Sequence, residues 1–192
     1  MTRIIGGAVG GRRIATPRGE ATRPTSDRVR EALFSAVESW CGSLAGLRFL
    51  DLYAGSGAVG LEARSRGAGV VTLVEHDRRT SGLIRENVTA LGFHGVEVLT
   101  GPVARTLAHP PRAPYDIVFL DPPYSLPGAE VDEVLTLLVV NGWLVGDALV
   151  VVERSARDEG PSWPAGCVPD RSRRYGETAL WYGHAAGSGP GA

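Results

Sequence analysis

The chain has 192 residues, of which 43% are apolar and 21% charged, and its formal net charge is −1 at pH 7. These proportions are ordinary for one globular domain of this length, and they exclude a low-complexity chain. No apolar run reaches the roughly 18 residues that a membrane helix needs, so a membrane span is excluded as well.

The cysteines and the N-terminus bear on the cellular compartment. Cys41 and Cys167 lie far apart in the sequence and belong to no CxxC or Cys/His pattern, so neither a disulfide scaffold nor a zinc site is expected. The N-terminus has no signal-type apolar stretch, which favours the cytoplasm. We expect a cytoplasmic monomer with no bound metal and no membrane contact.

Charge is distributed unevenly along the chain. Residues 1–30 contain seven Arg and two acidic residues, a net charge of +5, whereas the remaining residues carry a net charge of −6. A basic segment on an acidic body is typical of a protein that holds a nucleic-acid backbone at one edge. A solvated, disordered leader is the alternative interpretation of the same charges.

The N-terminal residues predict a β-hairpin and then a helix. Strand-like runs at 3–5 and 12–15 flank a Gly-rich turn. Apolar residues recur at helical spacing over 26–40, after a hydroxyl residue, Thr25 or Ser26, that can cap the helix. We expect residues 1–22 to form a basic extension that binds nucleic acid.

From residue 48 onward, strands alternate with helices. The predicted strands are 49–53, 70–74, 96–99, 115–120 and 148–152, and the predicted helices are 58–66, 78–91, 102–108 and 129–140. This alternation indicates a parallel sheet covered on both faces. Residues 171–175 and 178–183 flank a Gly-Glu turn and predict an antiparallel hairpin.

These elements predict a fold class and its boundaries. We expect a Rossmann-like, doubly wound α/β fold with a mostly parallel seven-stranded sheet, a C-terminal antiparallel hairpin and a small N-terminal β-hairpin extension. The main domain is predicted over 23–184, and residues 185–192 are predicted to be a disordered tail.

A glycine-rich loop follows the first strand of the main domain. Gly55, Gly57 and Gly60 form a GxGxxG pattern between a strand and a helix, the context of a nucleotide-binding loop. Glu75 ends the next strand, where a carboxylate can accept hydrogen bonds from both hydroxyls of a ribose. The pattern predicts a cofactor that contains adenosine; a tight turn without a ligand is the alternative. The candidate cofactor-binding residues here are Asp51, Tyr53, Ala54, Gly55, Ser56, Gly57, Glu75 and His76.

Asp51 distinguishes between two cofactors of this kind. It lies in the strand before the loop, where a carboxylate would repel the pyrophosphate of a dinucleotide. S-adenosylmethionine carries no phosphate, and its amino group and sulfonium are cationic. Asp51 therefore favours S-adenosylmethionine, unless its side chain only caps the following helix or is solvated.

A second motif, Asp121-Pro122-Pro123-Tyr124, follows the predicted strand 115–120. Open α/β folds bind ligands at this edge of the sheet. The two prolines remove two N–H donors and stiffen the turn, which leaves carbonyls, a carboxylate and one aromatic ring. Such an array suits an exocyclic amine of a nucleobase, so the four residues are the candidate catalytic residues. A rigid turn with a solvated aspartate is the alternative.

Together these residues resemble class I S-adenosylmethionine-dependent methyltransferases that modify exocyclic amines. More specifically, the chain resembles the RsmD family of bacterial 16S rRNA guanine-N2 methyltransferases over roughly residues 3–183. The motifs that carry the resemblance are RIIGG at 3–7, GRRI at 11–14, TRPTSDRVREALF at 22–34, DLYAGSGAVGLEARSRGA at 51–68 and FLDPPY at 119–124.

The resemblance implies methylation of the 2-amino group of one guanine in 16S rRNA, on an assembled or nearly assembled small ribosomal subunit. The donor would be S-adenosylmethionine, the product S-adenosylhomocysteine, and Thr25 would lie beside the cofactor. The residues implied in rRNA binding are Arg3, Arg12, Arg13, Arg23, Arg28 and Arg30. We expect removal of residues 1–20 to abolish RNA methylation and to leave cofactor binding intact.

The chain departs from the family's pattern after the third strand of the main domain. Pro102 stands where a polar residue often holds the adenine amine, and a proline offers neither a side-chain acceptor nor a backbone donor. The backbone N–H of Val103 is the candidate replacement.

Three other functions remain open at this point. A DNA amino-methyltransferase would also use Asp-Pro-Pro-Tyr, on adenine, but such enzymes usually carry a further recognition domain. An NAD-dependent oxidoreductase would account for the glycine loop alone. A non-catalytic RNA-binding assembly factor would account for the basic N-terminal segment alone.

Overall fold

The computed structural model describes residues 2–17 and 26–187, and the chain divides into two compact units, Met1–Pro102 and Val103–Ala192. The first unit contains β1 (Thr2–Arg3), β2 (Arg13–Ile14), α1 (Asp27–Cys41), β3 (Arg48–Leu52), α2 (Ala58–Ser65), β4 (Val70–Glu75), α3 (Arg78–Leu91) and β5 (Val96–Thr100). The second contains α4 (Val103–Leu107), β6 (Tyr115–Leu120), α5 (Gly128–Val140), β7 (Leu144–Ser155), β8 (Cys167–Tyr175) and β9 (Thr178–Ala185). None of the helices in the described ranges is long and apolar enough to cross a membrane.

Three parallel strands form the centre of the first unit, in the order β5-β4-β3. Apolar residues dominate β3 and β4, as expected for strands buried on both faces, and Phe49, Leu50 and Leu52 have no exposed surface. Leu52 pairs with Val74 in the register of these two strands. The glycine loop after β3 therefore begins beside Glu75 at the end of β4.

The N-terminal hairpin of β1 and β2 packs against α2 and α3. Ile4 and Ile14 of the hairpin are buried in one cluster with Ala58 and Leu61 of α2 and Leu91 of α3. Burying side chains of this size contributes about 1.5–3 kcal/mol for each fully buried residue. The hairpin is thus part of the hydrophobic core of the first unit.

Polar contacts also hold the hairpin on α2. The carboxylate of Glu62, which has no exposed surface, accepts hydrogen bonds from the backbone N–H groups of Ile5 (2.7 Å) and Gly6 (2.8 Å). The hydroxyl of Ser65 donates to the carbonyl oxygen of Gly6 at 2.6 Å. Gly7 has a φ of +78°, and a Cβ there would overlap the backbone of Ser65. Only glycine fits at this close approach.

In the second unit, β6 and β7 are parallel, and β9 pairs antiparallel with both β7 and β8, in the order β6-β7-β9-β8. β7 is longer than the predicted strand 148–152. At its start, Leu144 pairs with Tyr115 before an irregularity in the register, and at its end, Ser155 pairs with Thr178. Gly146 and Asp147 before the predicted strand, and Glu153 to Ser155 after it, interrupt the apolar pattern and hid this extension.

The predicted fold class is confirmed, with seven main strands, an antiparallel C-terminal hairpin and a small N-terminal hairpin. The domain boundary at 22–23 stays a prediction. The predicted tail begins too early, because Ala185 pairs with Cys167 inside the hairpin. Residues 188–192 lie outside the described part of the chain.

Candidate active site

The glycine loop between β3 and α2 is a tight turn. Tyr53, Gly55 and Gly57 have φ angles of 63°, 54° and 80°, and Gly57 is the N-cap of α2. A Cβ at Gly57 would lie 3.1 Å from Cγ2 of Ile84 and 3.2 Å from Cδ2 of Leu73, so a side chain there would be both strained and crowded. A Cβ at Gly55 would meet no described atom within 4 Å. The loop is therefore open to a ligand at Gly55.

Glu75 ties this loop to the end of β4. Its Oε2 accepts a hydrogen bond from the backbone N–H of Gly55 at 2.9 Å, and its Oε1 accepts one from the backbone N–H of Asp77 at 2.9 Å. The ring nitrogen Nδ1 of His76 lies 3.0 Å from Oε1, although the His76 side chain is 74% exposed. Each carboxylate oxygen has further lone pairs, so Glu75 can still accept hydrogen bonds from a ligand.

Asp77, two residues after Glu75, is the N-cap of α3. Its Oδ1 accepts hydrogen bonds from the backbone N–H and the hydroxyl of Thr80, both at 2.8 Å. These two hydrogen bonds lower the pKa of Asp77 below its usual value, and the bond from the backbone N–H has the larger effect. The N-cap fixes where the helix starts, and so helps to fix the backbone that carries Glu75 and His76.

Asp51 is buried in β3 and caps the neighbouring helix. Its Oδ2 accepts a hydrogen bond from the backbone N–H of Gly60 at 2.8 Å, in the first turn of α2. The capping contact that the alternative requires is therefore present. A contact between Asp51 and the cofactor stays a prediction.

The remaining predicted cofactor-binding residues are distributed over several segments. Tyr53, Ala54 and Ser56 lie in the glycine loop. Val103 is the buried first residue of α4 in the second unit. Thr25 lies outside the described residues.

An adenosine-containing cofactor fits the glycine loop. Gly55 leaves space above the backbone, and Glu75 supplies a carboxylate at the same turn. The carboxylate is an acceptor for hydroxyl donors, and the N-terminus of α2 presents backbone N–H groups.

The Asp-Pro-Pro-Tyr segment follows β6 as predicted, in a stretch without regular secondary structure before α5. Asp121 is partly exposed, Pro122 is buried and Pro123 is exposed. The Tyr124 side chain is 45% exposed, and its hydroxyl lies 3.2 Å from Oγ1 of Thr178 in β9. The tyrosine ring thus stands at the surface with its hydroxyl end held by the C-terminal hairpin.

Arg154, which no sequence pattern singled out, supports this segment. Its buried guanidinium donates from Nη1 to the carbonyl oxygen of Pro123 at 3.3 Å and from Nη2 to that of Leu126 at 3.1 Å. Its Nε donates to Oδ2 of Asp158 at 2.9 Å. The signal in the sequence was a charged residue close after an apolar strand. The structure places Arg154 near the end of β6, because Val152 pairs with Leu120.

Most of the predicted RNA-binding arginines are exposed. Arg3 and Arg13 line an open depression of about 360 Å³ together with Thr2 and Asp27. Arg12 is exposed and donates from Nη2 to the carbonyl oxygen of Ala90 at 2.6 Å. Arg28 is exposed, and Arg23 lies outside the described residues.

Arg30 does not fit the expected RNA contact, because its side chain has no exposed surface. Its Nη2 donates to the carbonyl oxygen of Arg3 at 2.8 Å and to Oδ1 of Asp27 at 2.7 Å. A buried cation held in this way joins α1 to β1. We therefore assign Arg30 to the anchoring of the hairpin.

A family model described as conserved hypothetical protein 95 matches residues 2–184. The chain is also 38% identical, over 182 residues, to the ribosomal RNA small subunit methyltransferase D of Escherichia coli (strain K12). That match covers 92% of this chain and 86% of the Escherichia coli protein.

Solved structures of similar proteins share the fold over nearly the whole chain. The putative methyltransferase YhhF from Escherichia coli superposes with a TM-score of 0.86 at 35% identity, covering 96% of this chain and 97% of that one. A putative methylase from Haemophilus influenzae superposes with a TM-score of 0.79 at 30% identity, covering 96% and 98%.

Proposed function

We propose that this chain, which belongs to the RsmD family of ribosomal RNA small subunit methyltransferases, methylates the exocyclic 2-amino group of one guanine in 16S rRNA. The observation that carries the proposal is the 38% identity to the Escherichia coli small subunit methyltransferase over 92% of the chain. The proposed substrate is the assembled or nearly assembled small ribosomal subunit, in the cytoplasm. The proposed methyl donor is S-adenosylmethionine.

The glycine loop and Glu75 are the main binding groups for the donor in this proposal. Glu75 accepts hydrogen bonds from the ribose hydroxyls, and the backbone around Gly55 approaches the cofactor closely because this glycine faces open space. Asp51 contributes negative charge near the cationic methionine end, and the Val103 N–H replaces the missing polar contact to adenine. When bound, S-adenosylmethionine supplies an electrophilic methyl group on a sulfonium.

The Asp-Pro-Pro-Tyr segment binds the target base. Asp121 and the carbonyl oxygen of Pro122 each accept one N–H of the amino group, which turns its nitrogen from planar toward tetrahedral and exposes the lone pair. The carboxylate of Asp121 also offers an acceptor for the proton that the nitrogen loses. Tyr124 stacks on the base, a contact worth about 1–3 kcal/mol. Rate enhancement comes mainly from positioning and electrostatics.

The exposed arginines of the hairpin supply affinity for the RNA backbone in this proposal, chiefly Arg3, Arg12 and Arg13. The target guanine must leave its stack, because an enzyme cannot reach the amino group inside a helix. Backbone contacts hold the RNA in register while the base is extruded.

The test is transfer of a tritiated methyl group from S-adenosylmethionine to small subunits, free 16S rRNA and DNA in parallel, followed by mass analysis of the nucleosides. We expect N2-methylguanosine, formed fastest on small subunits from a strain that lacks the enzyme. N6-methyladenine, on RNA or DNA, would instead support the adenine alternative and contradict the proposal.

Two variants and their matched controls test the residue roles. Asp121→Asn should lower kcat by at least about 100-fold, as loss of one electrostatic contact to a reacting group does. Asp116→Asn, at the other end of β6, should leave kcat nearly unchanged. Glu75→Gln should weaken binding of S-adenosylmethionine in calorimetry, whereas Glu97→Gln on the neighbouring β5 should not. Binding of NADH in place of S-adenosylmethionine would sink the cofactor assignment.

A further inference from the structure

Arginines are concentrated on β8, the last strand in the order of the second unit. Residues 168–174 are exposed, and Arg171, Arg173 and Arg174 stand close together beside one acidic residue, Asp170. Charges on a terminal strand also discourage edge-to-edge aggregation. Whether these arginines could also bind a ligand depends on the face of the strand on which each one lies.

The register of β8 against β9 puts two of these arginines on one face. Residues that pair across antiparallel strands point to the same side of the sheet. Arg173 pairs with Leu180, and Tyr175 pairs with Thr178. Because alternate residues of a strand share a face, Arg171, Arg173 and Tyr175 form one surface, which we call the Arg171/Arg173 face.

The opposite face of the same strand carries Arg174, which pairs with Ala179. Two residues further along β9 on this side is Trp181, and a Cβ at Gly160 would lie 2.7 Å from its ring. The segment that contains Gly160 thus covers this side of β9. The two faces differ in their surroundings although both carry an exposed arginine.

The Arg171/Arg173 face begins next to the candidate base-binding segment. The hydroxyl of Tyr124 lies 3.2 Å from Oγ1 of Thr178, and Thr178 pairs with Tyr175. A step of two residues along a strand spans about 7 Å, so Arg173 follows Tyr175 at roughly that distance. An RNA strand with one base bound at Tyr124 could therefore extend along β8 past Tyr175 and then Arg173.

The charge of Arg173 is available to a ligand. Within the described residues, no hydrogen bond or ion pair engages its guanidinium. Arg171 stacks on the ring of Tyr182, 5.0 Å from its guanidinium carbon, and donates to Asp170. A planar guanidinium presents a fork of N–H donors that matches the oxygens of a phosphate group.

We propose that the Arg171/Arg173 face binds the phosphate backbone of the RNA strand that flanks the target nucleotide. The inference rests on the proposed function, since it takes Tyr124 as a platform for a base in RNA. An enzyme that extracts a base must hold the backbone beside it, and contacts to phosphates fix that register. The hairpin arginines of the first unit are separate from this surface in the sequence, so it adds to the RNA-binding residues named above.

The test compares Arg173→Glu with Arg174→Glu in the full chain, because the two variants make the same charge change on opposite faces of one strand. Filter binding to 16S rRNA should show about a tenfold weaker affinity for Arg173→Glu and less than about a twofold change for Arg174→Glu. For Arg173→Ala, the slope of log affinity against log salt should decrease by about 0.7–0.9, as expected for the loss of one phosphate contact. With small subunits, Arg173→Glu should raise KM by a similar factor and leave kcat within about twofold.

Each other outcome has a definite meaning. Equal losses in the two variants, or no loss in either, would overturn the proposal. A higher KM on small subunits with unchanged rRNA affinity would also overturn it, because it would point to a ribosomal protein. Unchanged S-adenosylmethionine affinity and unfolding temperature must accompany the loss in Arg173→Glu. Methyl transfer by the wild-type chain is scored separately, so failure of the proposed function is distinguishable from failure of this surface.

Discussion

The guanidinium of Arg154 donates a hydrogen bond to the carbonyl oxygen of Pro123, so a buried residue at the end of β7 holds the segment that carries the candidate catalytic residues. The same side chain bonds Leu126 and Asp158. Two of the three bonds, to Pro123 and Leu126, hold the turn at both of its ends. The two prolines restrict the backbone of the segment, and the hydrogen bonds from Arg154 of β7 restrict it further.

Replacing Arg154 should impair catalysis more than cofactor binding. Arg154→Leu removes the side-chain donor to the carbonyl oxygens of Pro123 and Leu126 and the ion pair with Asp158. Pro123 is exposed and still accepts a hydrogen bond from the backbone N–H of Leu126, so the main expected effect is that the segment is freer to move. We expect kcat to fall about 100-fold, the scale associated with a displacement of about 1 Å, with unchanged affinity for S-adenosylmethionine. Arg154→Lys should recover part of the rate, and Arg157→Leu, at an exposed position nearby, should have little effect. Normal kcat in Arg154→Leu would show that the segment is held by other contacts.

Glu62 offers a prediction about stability. Glu62→Gln removes a carboxylate with two roles. It forms an ion pair with Nε of Arg66 at 2.8 Å, and it accepts hydrogen bonds from two backbone N–H groups of the hairpin. Arg66 keeps its second partner, Glu38, but Gln offers one acceptor oxygen where the carboxylate offers two, so a donor that Glu62 now satisfies loses its acceptor. We therefore expect a loss of about 1–3 kcal/mol in urea unfolding and faster hydrogen exchange at Ile5 and Gly6. Glu38→Gln, the exposed partner of the same arginine, should cost less than about 1 kcal/mol. Equal costs for the two variants would contradict this assignment.

Two glycines in neighbouring helices should respond oppositely to alanine. A Cβ at Gly60 in α2 would lie 2.8 Å from Cδ2 of Leu73, in the packed interface of helix and strand. Gly60→Ala should therefore destabilise the chain by about 1–3 kcal/mol. A Cβ at Gly82 in α3 would meet no described atom within 4 Å, so Gly82→Ala should stabilise by about 0.5–1 kcal/mol through helix propensity. Thermal unfolding of both variants is the measurement, and a shift of the same sign in both would be the contrary result.

Tyr182 predicts a sensitivity to alkaline pH. Burial raises the pKa of its phenol to about 12, whereas an unfolded tyrosine titrates near 10. The folded state thus favours the neutral phenol, and the resulting stability is complete below about pH 10 and is lost as the pH rises toward 12. Among the described residues the hydroxyl has no hydrogen-bond partner. Tyr182→Phe should keep or slightly increase stability at pH 7 and should reduce the loss between pH 10 and 12, measured by urea unfolding at both ends of that range.

Local signals in the sequence predicted the elements that position the site. The helix predicted over 78–91 has those bounds in the structure, because Asp77 caps its start and Gly92 ends it in a left-handed conformation. The strand 115–120 is likewise unchanged, since a short apolar run ends at the rigid Asp-Pro-Pro-Tyr segment. In both cases the neighbouring residues determine the boundary.

Contacts between residues distant in the sequence were not predictable in the same way. Arg30 and Arg154 are ordinary arginines by composition, yet both are buried against backbone carbonyls, and Arg154 reaches a segment 28–31 residues earlier. Glu62 reaches the hairpin across 56–57 residues. Such pairs depend on which elements pack together, and neither periodicity nor capping patterns carry that information.

The attachment of the hairpin to α2 changes how its contribution to RNA binding can be measured. Deleting residues 1–20 would take away Ile4 and Ile14 from the core and leave the Glu62 carboxylate without two of its donors. Contrary to the expectation from the sequence, we therefore expect the truncation to destabilise the first unit and to impair cofactor binding as well, whether or not the segment touches RNA. The hairpin contributes to the stability of the first unit and cannot be removed without affecting its fold. Single substitutions at Arg3 or Arg13 are therefore the better test of RNA binding by the hairpin.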